Sequence, residues 1–310
     1  MEQRVAPPNT QSHDALRARL MLILLIVGWG VTWPMMRIAL TDIPPFSMRV
    51  GSLCIGTLTL FVLALLQGQR LAIRDRRAWG HIFIASLFNI VSFSIFTPFA
   101  QLASATSRVA IVVYTMPIWA SILARPVLGE RLTRARFIGL VLCTAGMAIL
   151  IYPLTTMGIP IGIVLALGGA VSWAAGTIYL KWAQIKADPT AVTFWQLVVG
   201  AIVVSLVLPF VEGSLHLTQA SWQAILALIF AGTVGSGLAY FLWFDAVRRL
   251  PTMTASLGVL GVPVVGVVSS IWLLGEWPTV ADILGFGLML AASACVLLQP
   301  NDAPRIRPEP

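Results

Sequence analysis

The sequence predicts an all-α integral membrane protein, with ten transmembrane helices arranged as two inverted five-helix repeats. Three observations carry this reading. Of 310 residues, 58% are hydrophobic and 10% charged, with a mean hydropathy of +0.89, far outside soluble composition. The apolar residues fall into runs long enough to cross hydrocarbon. Finally, residues 105–151 recur at 251–297: a shift of 146 positions superimposes Val113 on Val259, Pro117 on Pro263, Leu128-Gly129-Glu130 on Leu274-Gly275-Glu276, Thr133 on Thr279 and Gly139 on Gly285 without a gap. Apolar composition explains Leu on Leu, but not proline, Gly-Glu and glycine in register, so the chain is duplicated.

Residues 1–18 are polar, with Pro7-Pro8 and scattered charge, and read as a mobile cytoplasmic tail. The first apolar run, 20–40, is roughly 21 residues or about 31 Å of helix, enough for a bilayer core and too long for a signal-peptide core. Further runs lie near 46–67, 80–101, 107–124, 135–152, 159–181, 192–211, 223–247, 252–273 and 279–298. Segments this continuously apolar are helices, because lipid offers their backbone groups no other partner. The expected units are a first repeat at 19–152, a second at 158–298, and a short cytoplasmic tail at 299–310.

Orientation follows from the basic residues. With both termini inside, 17 of the 20 Lys and Arg fall on cytoplasmic segments, among them Arg70, Arg74, Arg76 and Arg77, Arg125, Arg131, Arg134 and Arg136, and Arg248 and Arg249. Arg37, Arg49 and Arg108 lie near the outer ends of spans 1, 2 and 4. This asymmetry in short loops sets the topology in a cell (inner) membrane. The net charge of +8 is thereby accounted for without nucleic acid. Five spans per copy put the copies in opposite orientation. The earlier helices repeat more faintly, Trp29 on Trp173, Arg37 on Lys181 and Ala100 on Ala246.

A Trp29-Gly30 or Ser172-Trp173-Ala174 element in the first helix of each copy, then a mid-helix proline, Leu-Gly-Glu and a later glycine, resembles the EamA-type permeases of the drug/metabolite transporter superfamily. The resemblance covers residues 20–298. It implies a ten-helix inverted-repeat fold, cytoplasmic termini and movement of small metabolites, often outward, with amino-acid exporters among its members. Arg49 fits that pattern, whereas its counterpart in the second copy is Gln196.

Several residues are placed to meet a solute. Trp29, Thr32 and Trp33 share one helical face, as do Asn89, Ser92, Phe93 and Phe96, Trp173 and Thr177, and Ser236, Tyr240 and Trp243. With Tyr114 they would make an aromatic cavity with a few hydrogen-bonding groups; a packing stripe is the competing reading. The expected substrate contacts are Trp29, Trp33, Asn89, Tyr114, Trp173 and Tyr240. Pro117 and Pro263 are expected hinges, since each deprives a carbonyl four residues back of its helical partner. Glu130 and Glu276 are expected at gates, capping the helix that follows each. Arg37 and Arg49 read as snorkelling residues with a structural role. Trp79, Trp182, Trp222 and Trp277, near span ends, read as an interfacial belt. Gly139, Gly146, Gly285 and Ala292 read as close helix packing.

Cys54, Cys143 and Cys295 sit in apolar runs and make no disulfide framework, and the histidines form no metal set. No cofactor is expected, and the partners expected are a small-molecule substrate and the lipid bilayer, with a homodimer left open. The sequence holds no P-loop, HExxH or GxSxG. A permease working by alternating access without ATP, an exporter of amino acids or similar compounds, is the first reading; a membrane-embedded enzyme and a non-transporting assembly subunit are the rivals. The acids inside or beside spans, Asp42, Glu130, Glu212, Asp245, Glu276 and Asp282, all fall near predicted helix ends, so facilitated diffusion or exchange is expected rather than proton coupling.

Overall fold

A computed structural model describes residues 8–129, 133–155, 160–243 and 261–297. They form ten helices: α1 Pro8–Ala39, α2 Pro45–Leu66, α3 Arg76–Ala103, α4 Thr106–Leu128, α5 Arg134–Thr155, α6 Ile161–Ala183, α7 Pro189–Val211, α8 Trp222–Trp243, α9 Gly261–Leu274 and α10 Val280–Leu297. Seven are long and apolar enough to cross a membrane; α5, α9 and α10 carry shorter apolar stretches, Phe137–Pro153, Gly261–Leu274 and Val280–Cys295. At most half of each long span's apolar window is buried, as expected of helices that face lipid on their outer side.

One boundary differs from the sequence reading. Residues 8–18, expected as tail, are the first turns of α1. Their polarity excludes a span but not a helix, and Gln11, Ala15, Leu16, Arg17 and Ala18 are good helix formers.

The local signals explain where the helices begin and end. Pro45 and Pro189 occupy first-turn positions, where a missing amide hydrogen costs nothing. Asp75, Asp188 and Ser221 accept amide hydrogens at the starts of α3, α7 and α8. Thr279 and Asp282 cap α10 reciprocally: the Thr279 amide and hydroxyl donate to Asp282 Oδ2 at 2.8 Å, and the Asp282 amide donates to Thr279 Oγ1 at 3.2 Å. At the far ends, Gly129 and Gly275 take φ of 68° and 67°. The glycine of Leu-Gly-Glu is therefore a left-handed stop, which explains its recurrence.

The two repeats interlock by a pseudo-twofold exchange. α1 packs on α9 as α6 packs on α4; α2 packs on α8 as α7 packs on α3; α3 packs on α6 as α8 packs on α1. The two remaining helix pairs lie on the axis, α2 with α7 and α5 with α10. Both are antiparallel. Phe46 and Ser47, at the start of α2, donate their amides to Glu212 at the end of α7 (2.7 and 2.8 Å), while Phe61 meets Phe194 further along. On α5 and α10, a Cβ at Gly146 would lie 2.9 Å from Gly285 O, and one at Gly285 3.0 Å from Gly146 O, so the two backbones touch reciprocally. Equivalent helices running antiparallel are what inversion of the repeats requires.

Candidate functional site

α3 and α8, equivalent helices of the two repeats, each contain a widened π-helical segment, Leu87–Ser92 and Ala231–Leu238. Shifting the first by 146 gives 233–238, within the second. Such segments displace carbonyls from the regular ladder and are common at functional sites. Serines occupy part of the slack: Ser92 Oγ donates to Leu87 O at 2.7 Å, and Ser236 Oγ to Ala231 O at 3.5 Å, each five residues back. The first helix of the opposite repeat takes a share as well. Trp29 Nε1 on α1 donates to Gly235 O at 3.0 Å, and Ser172 Oγ on α6 to Phe88 O at 2.8 Å.

These two wide turns place an aromatic cluster between the repeats. Tyr240, just after the turn in α8, lies edge-on to Trp29 (centroids 6.0 Å, planes at 84°) and nearly parallel to Trp173 (6.3 Å, 6°). Phe93, just after the turn in α3, meets Trp173 at 4.9 Å and 64°. Trp243 joins the far side of Trp29 at 6.3 Å. Trp29 and Trp173, expected together with Tyr240 from the sequence, thus both meet Tyr240, and all three are only partly buried.

Trp33 and Tyr114 form a neighbouring pair, centroids 6.3 Å apart, on the core that also takes Phe93. Trp33 is 6% exposed, so it is a packed wall one turn along α1 from Trp29. Tyr114 stands where α4 is interrupted: helix runs to Val113 and resumes at Met116. The break is where Pro117 deprives the Val113 carbonyl of its amide. Val259, the residue that corresponds to Val113 before Pro263, lies outside the described residues, as does Glu130.

Asn89 bridges α3 to α6 and α7. Its Nδ2 donates to Gln196 Oε1 on α7 at 3.2 Å, and its Oδ1 fills the space that a Cβ at Gly176 would occupy, 2.1 Å from it. The amide nitrogen thus bonds a neighbouring helix, while Oδ1 is buried without a hydrogen-bond partner. Glu276 also differs from its expected contact. Its Oε2 accepts the Ser107 amide at the start of α4 (3.2 Å), so it caps a helix of the other repeat, while α10 is capped by Thr279 and Asp282. Beside it, Arg108 on α4 pairs with Asp282 through Nε–Oδ1 at 2.5 Å and Nη2–Oδ2 at 2.9 Å. Charge complementarity across the two repeats outweighs the local cap.

Arg49 overturns its sequence reading. It does not snorkel: it is 8% exposed, and its Nη2 donates to the Thr97 hydroxyl on α3. Helix-end distance misled here, because the side chain turns inward along α3. The pairing with Gln196 is corrected as well: Ser86 Oγ reaches Gln196 O, and its repeat mate Gly232 packs on Ser52 O, so Gln196 corresponds to Ser52 and Arg49 to Thr193. Trp79, Trp182, Trp222 and Trp277, by contrast, are 36%, 54%, 69% and 78% exposed, as a belt requires. Among the described residues no group of three or more His, Cys, Asp or Glu is placed to hold a metal ion.

Comparison with known proteins agrees with this geometry. The model of the EamA-like transporter family matches residues 16–152 and again 160–298. The "Uncharacterized transporter YoaV" of Bacillus subtilis is 26% identical over 87% of this chain and 93% of its own. A "Probable amino-acid metabolite efflux pump" of Salmonella typhimurium is 29% identical over 87% and 91%. One solved crystal structure shares the fold, with a TM-score of 0.64 over 90% of this chain and 96% of that chain at 21% identity.

Proposed function

Because the chain belongs to the EamA-like transporter family, and is therefore a multi-pass membrane transporter of small molecules rather than an enzyme, we propose that it exports amino acids or similar metabolites by alternating access without ATP. The observation that carries this is the cluster of Trp29, Trp173, Tyr240 and Phe93. It is assembled from both repeats where their first helices meet the wide turns of the opposite copy. An ammonium group resting on such faces gains about 0.5–2 kcal/mol per ring. The amino-acid class is supported by the name of the Salmonella typhimurium relative.

The protein sits in the cytoplasmic membrane with both termini in the cytoplasm, an orientation supported by the basic loops. Facilitated diffusion or exchange is the mechanism. Three of the span-end acids are engaged elsewhere: Glu212 on the start of α2, Glu276 on the start of α4, and Asp282 on Arg108 and Thr279. Asp245 and Glu130 lie outside the described residues.

The test is counterflow in proteoliposomes with a panel of L-amino acids. Trp29→Ala and Trp173→Ala each lower affinity about tenfold, or ~1.4 kcal/mol. Unchanged affinity in a well-folded double variant, or no counterflow with any member of the panel, refutes the proposal.

A further inference from the structure

Among the described residues, Arg49 is a cation inside the bundle without a counter-ion. Its Nε has no hydrogen-bond partner, its one bonded atom reaches a neutral hydroxyl, and among the described residues no carboxylate reaches it. Arg108, on a neighbouring span, shows the alternative, a guanidinium closed on Asp282 through two bonds. Desolvating a charge costs several kcal/mol unless an opposite charge offsets it, and an ionisable side chain within a span is by default a functional residue.

The repeat supplies a second, independent observation. At the shift of 144 that sets Pro45 on Pro189 and Gly56 on Gly200, Arg49 falls on Thr193, so the second copy carries no cation at this position. Symmetry is broken at this position, and among the described residues its charged member meets no carboxylate.

Its location gives the ligand. Thr97, which receives the guanidinium, also donates its hydroxyl to Phe93 O at 2.8 Å, one turn back along α3. Phe93 is in ring contact with Trp173, and Trp173 stacks on Tyr240. The cation therefore borders the aromatic cluster, about one helical turn (~6 Å) along α3. A planar guanidinium matches a carboxylate bidentately. A phosphate dianion would call for a second cation, and the other two outer-end arginines, Arg37 and Arg108, are engaged by the Gln101 carbonyl and Asp282.

We propose that Arg49 anchors the carboxylate of the transported solute while the faces of Trp29, Trp173 and Tyr240 receive its ammonium group, so that the site selects zwitterions over amines. This rests on the aromatic cluster being the transport site.

The experiment uses the full-length protein in lipid nanodiscs, with the L-amino acids each compared with their own carboxamides, which keep the ammonium and lose the carboxylate. Binding is read from tryptophan fluorescence and confirmed by competition. The amino acids that bind lose at least about tenfold in affinity as carboxamides. Arg49→Gln brings that preference below about threefold, and Arg49→Lys keeps part of it. Thr97→Val, which removes the hydroxyl that aims the guanidinium, weakens the preference too and serves if Arg49→Gln does not fold.

Carboxamides that bind as tightly as the acids, or an acid preference that survives Arg49→Gln or an unaltered one in Thr97→Val, overturn the proposal. The two readings fail separately. Binding that is indifferent to the carboxylate yet still lost in Trp173→Ala withdraws Arg49 alone. Binding untouched by Trp173→Ala, or no binding by any member of the panel in either form, withdraws the aromatic site and the anchor with it.

Discussion

The pair of Arg108 and Asp282 ties α4 of the first repeat to α10 of the second, and its two residues should not be equivalent. Asp282 is 5% exposed and accepts from both Arg108 nitrogens and both Thr279 donors. Arg108 is 21% exposed and has that one partner plus a nearby Glu276 charge. Losing charge-assisted hydrogen bonds from Arg108→Gln leaves a carboxylate still held by Thr279, at a cost of about 2 kcal/mol. Asp282→Asn loses the same pair and also weakens the cap of α10, worth about another 1 kcal/mol. Once Asp282 is gone, Arg108 can reach water, so Arg108→Gln adds little on that background. The double variant should match Asp282→Asn, giving a coupling energy of about 2 kcal/mol. The assay is reversible unfolding of the four proteins by sodium dodecyl sulfate in mixed micelles, followed by tryptophan fluorescence. Single-variant effects that add to within about 0.5 kcal/mol refute the reasoning. So does Arg108→Gln proving the costlier change. If the pair also holds the two repeats together at that end of the bundle, the single variants shift the population open there by up to about 30-fold.

Two further outcomes follow. Pro117→Ala lets helix form across Tyr114 and Thr115, and is expected to slow counterflow about threefold or more while changing affinity less than that; equal turnover would make the break a matter of static packing. Reporter fusions after Arg77 and Arg136 should read as cytoplasmic, and those after Pro153 and Ser214 as external; an external signal at Arg136 would contradict the orientation.

Much of the architecture was legible because it rests on composition and on punctuation. Pro117, Gly129 and Gly275 act through backbone geometry that one residue dictates, and such effects survive translation from sequence to structure. Trp29 and Trp173 could be paired by repeat position alone. Contacts set by which helix lies opposite could not. The choice of Gln196 by Asn89, of Ser107 by Glu276 and of Asp282 by Arg108 depends on how the copies interlock, and nothing in local spacing records that. Arg49 failed for the same reason: counting from the helix end gives depth along the normal, not the direction in which a long side chain lies. The wide turns were hidden as well, since an extra residue in an apolar run leaves no compositional mark beyond the glycines Gly232, Gly235 and Gly237 of α8.

Those wide turns act as phase shifters. Each residue added to an α-helix rotates the following side chains by about 100° around its axis, so the slack absorbed within Leu87–Ser92 resets the azimuth of everything after it. Before the turn, α3 addresses α6 and α7; beyond it, α3 keeps α6 and exchanges α7 for α2. Phe93 and Thr97 owe their bearing to that offset, and Tyr240 owes its own to the matching offset in α8. Deleting one residue from either segment would leave the helix intact, still apolar and still membrane-spanning, while swinging its far half away from the opposing wall. The chemistry of the wall is thus written in side chains, but its aim is set by a single surplus backbone unit in each copy.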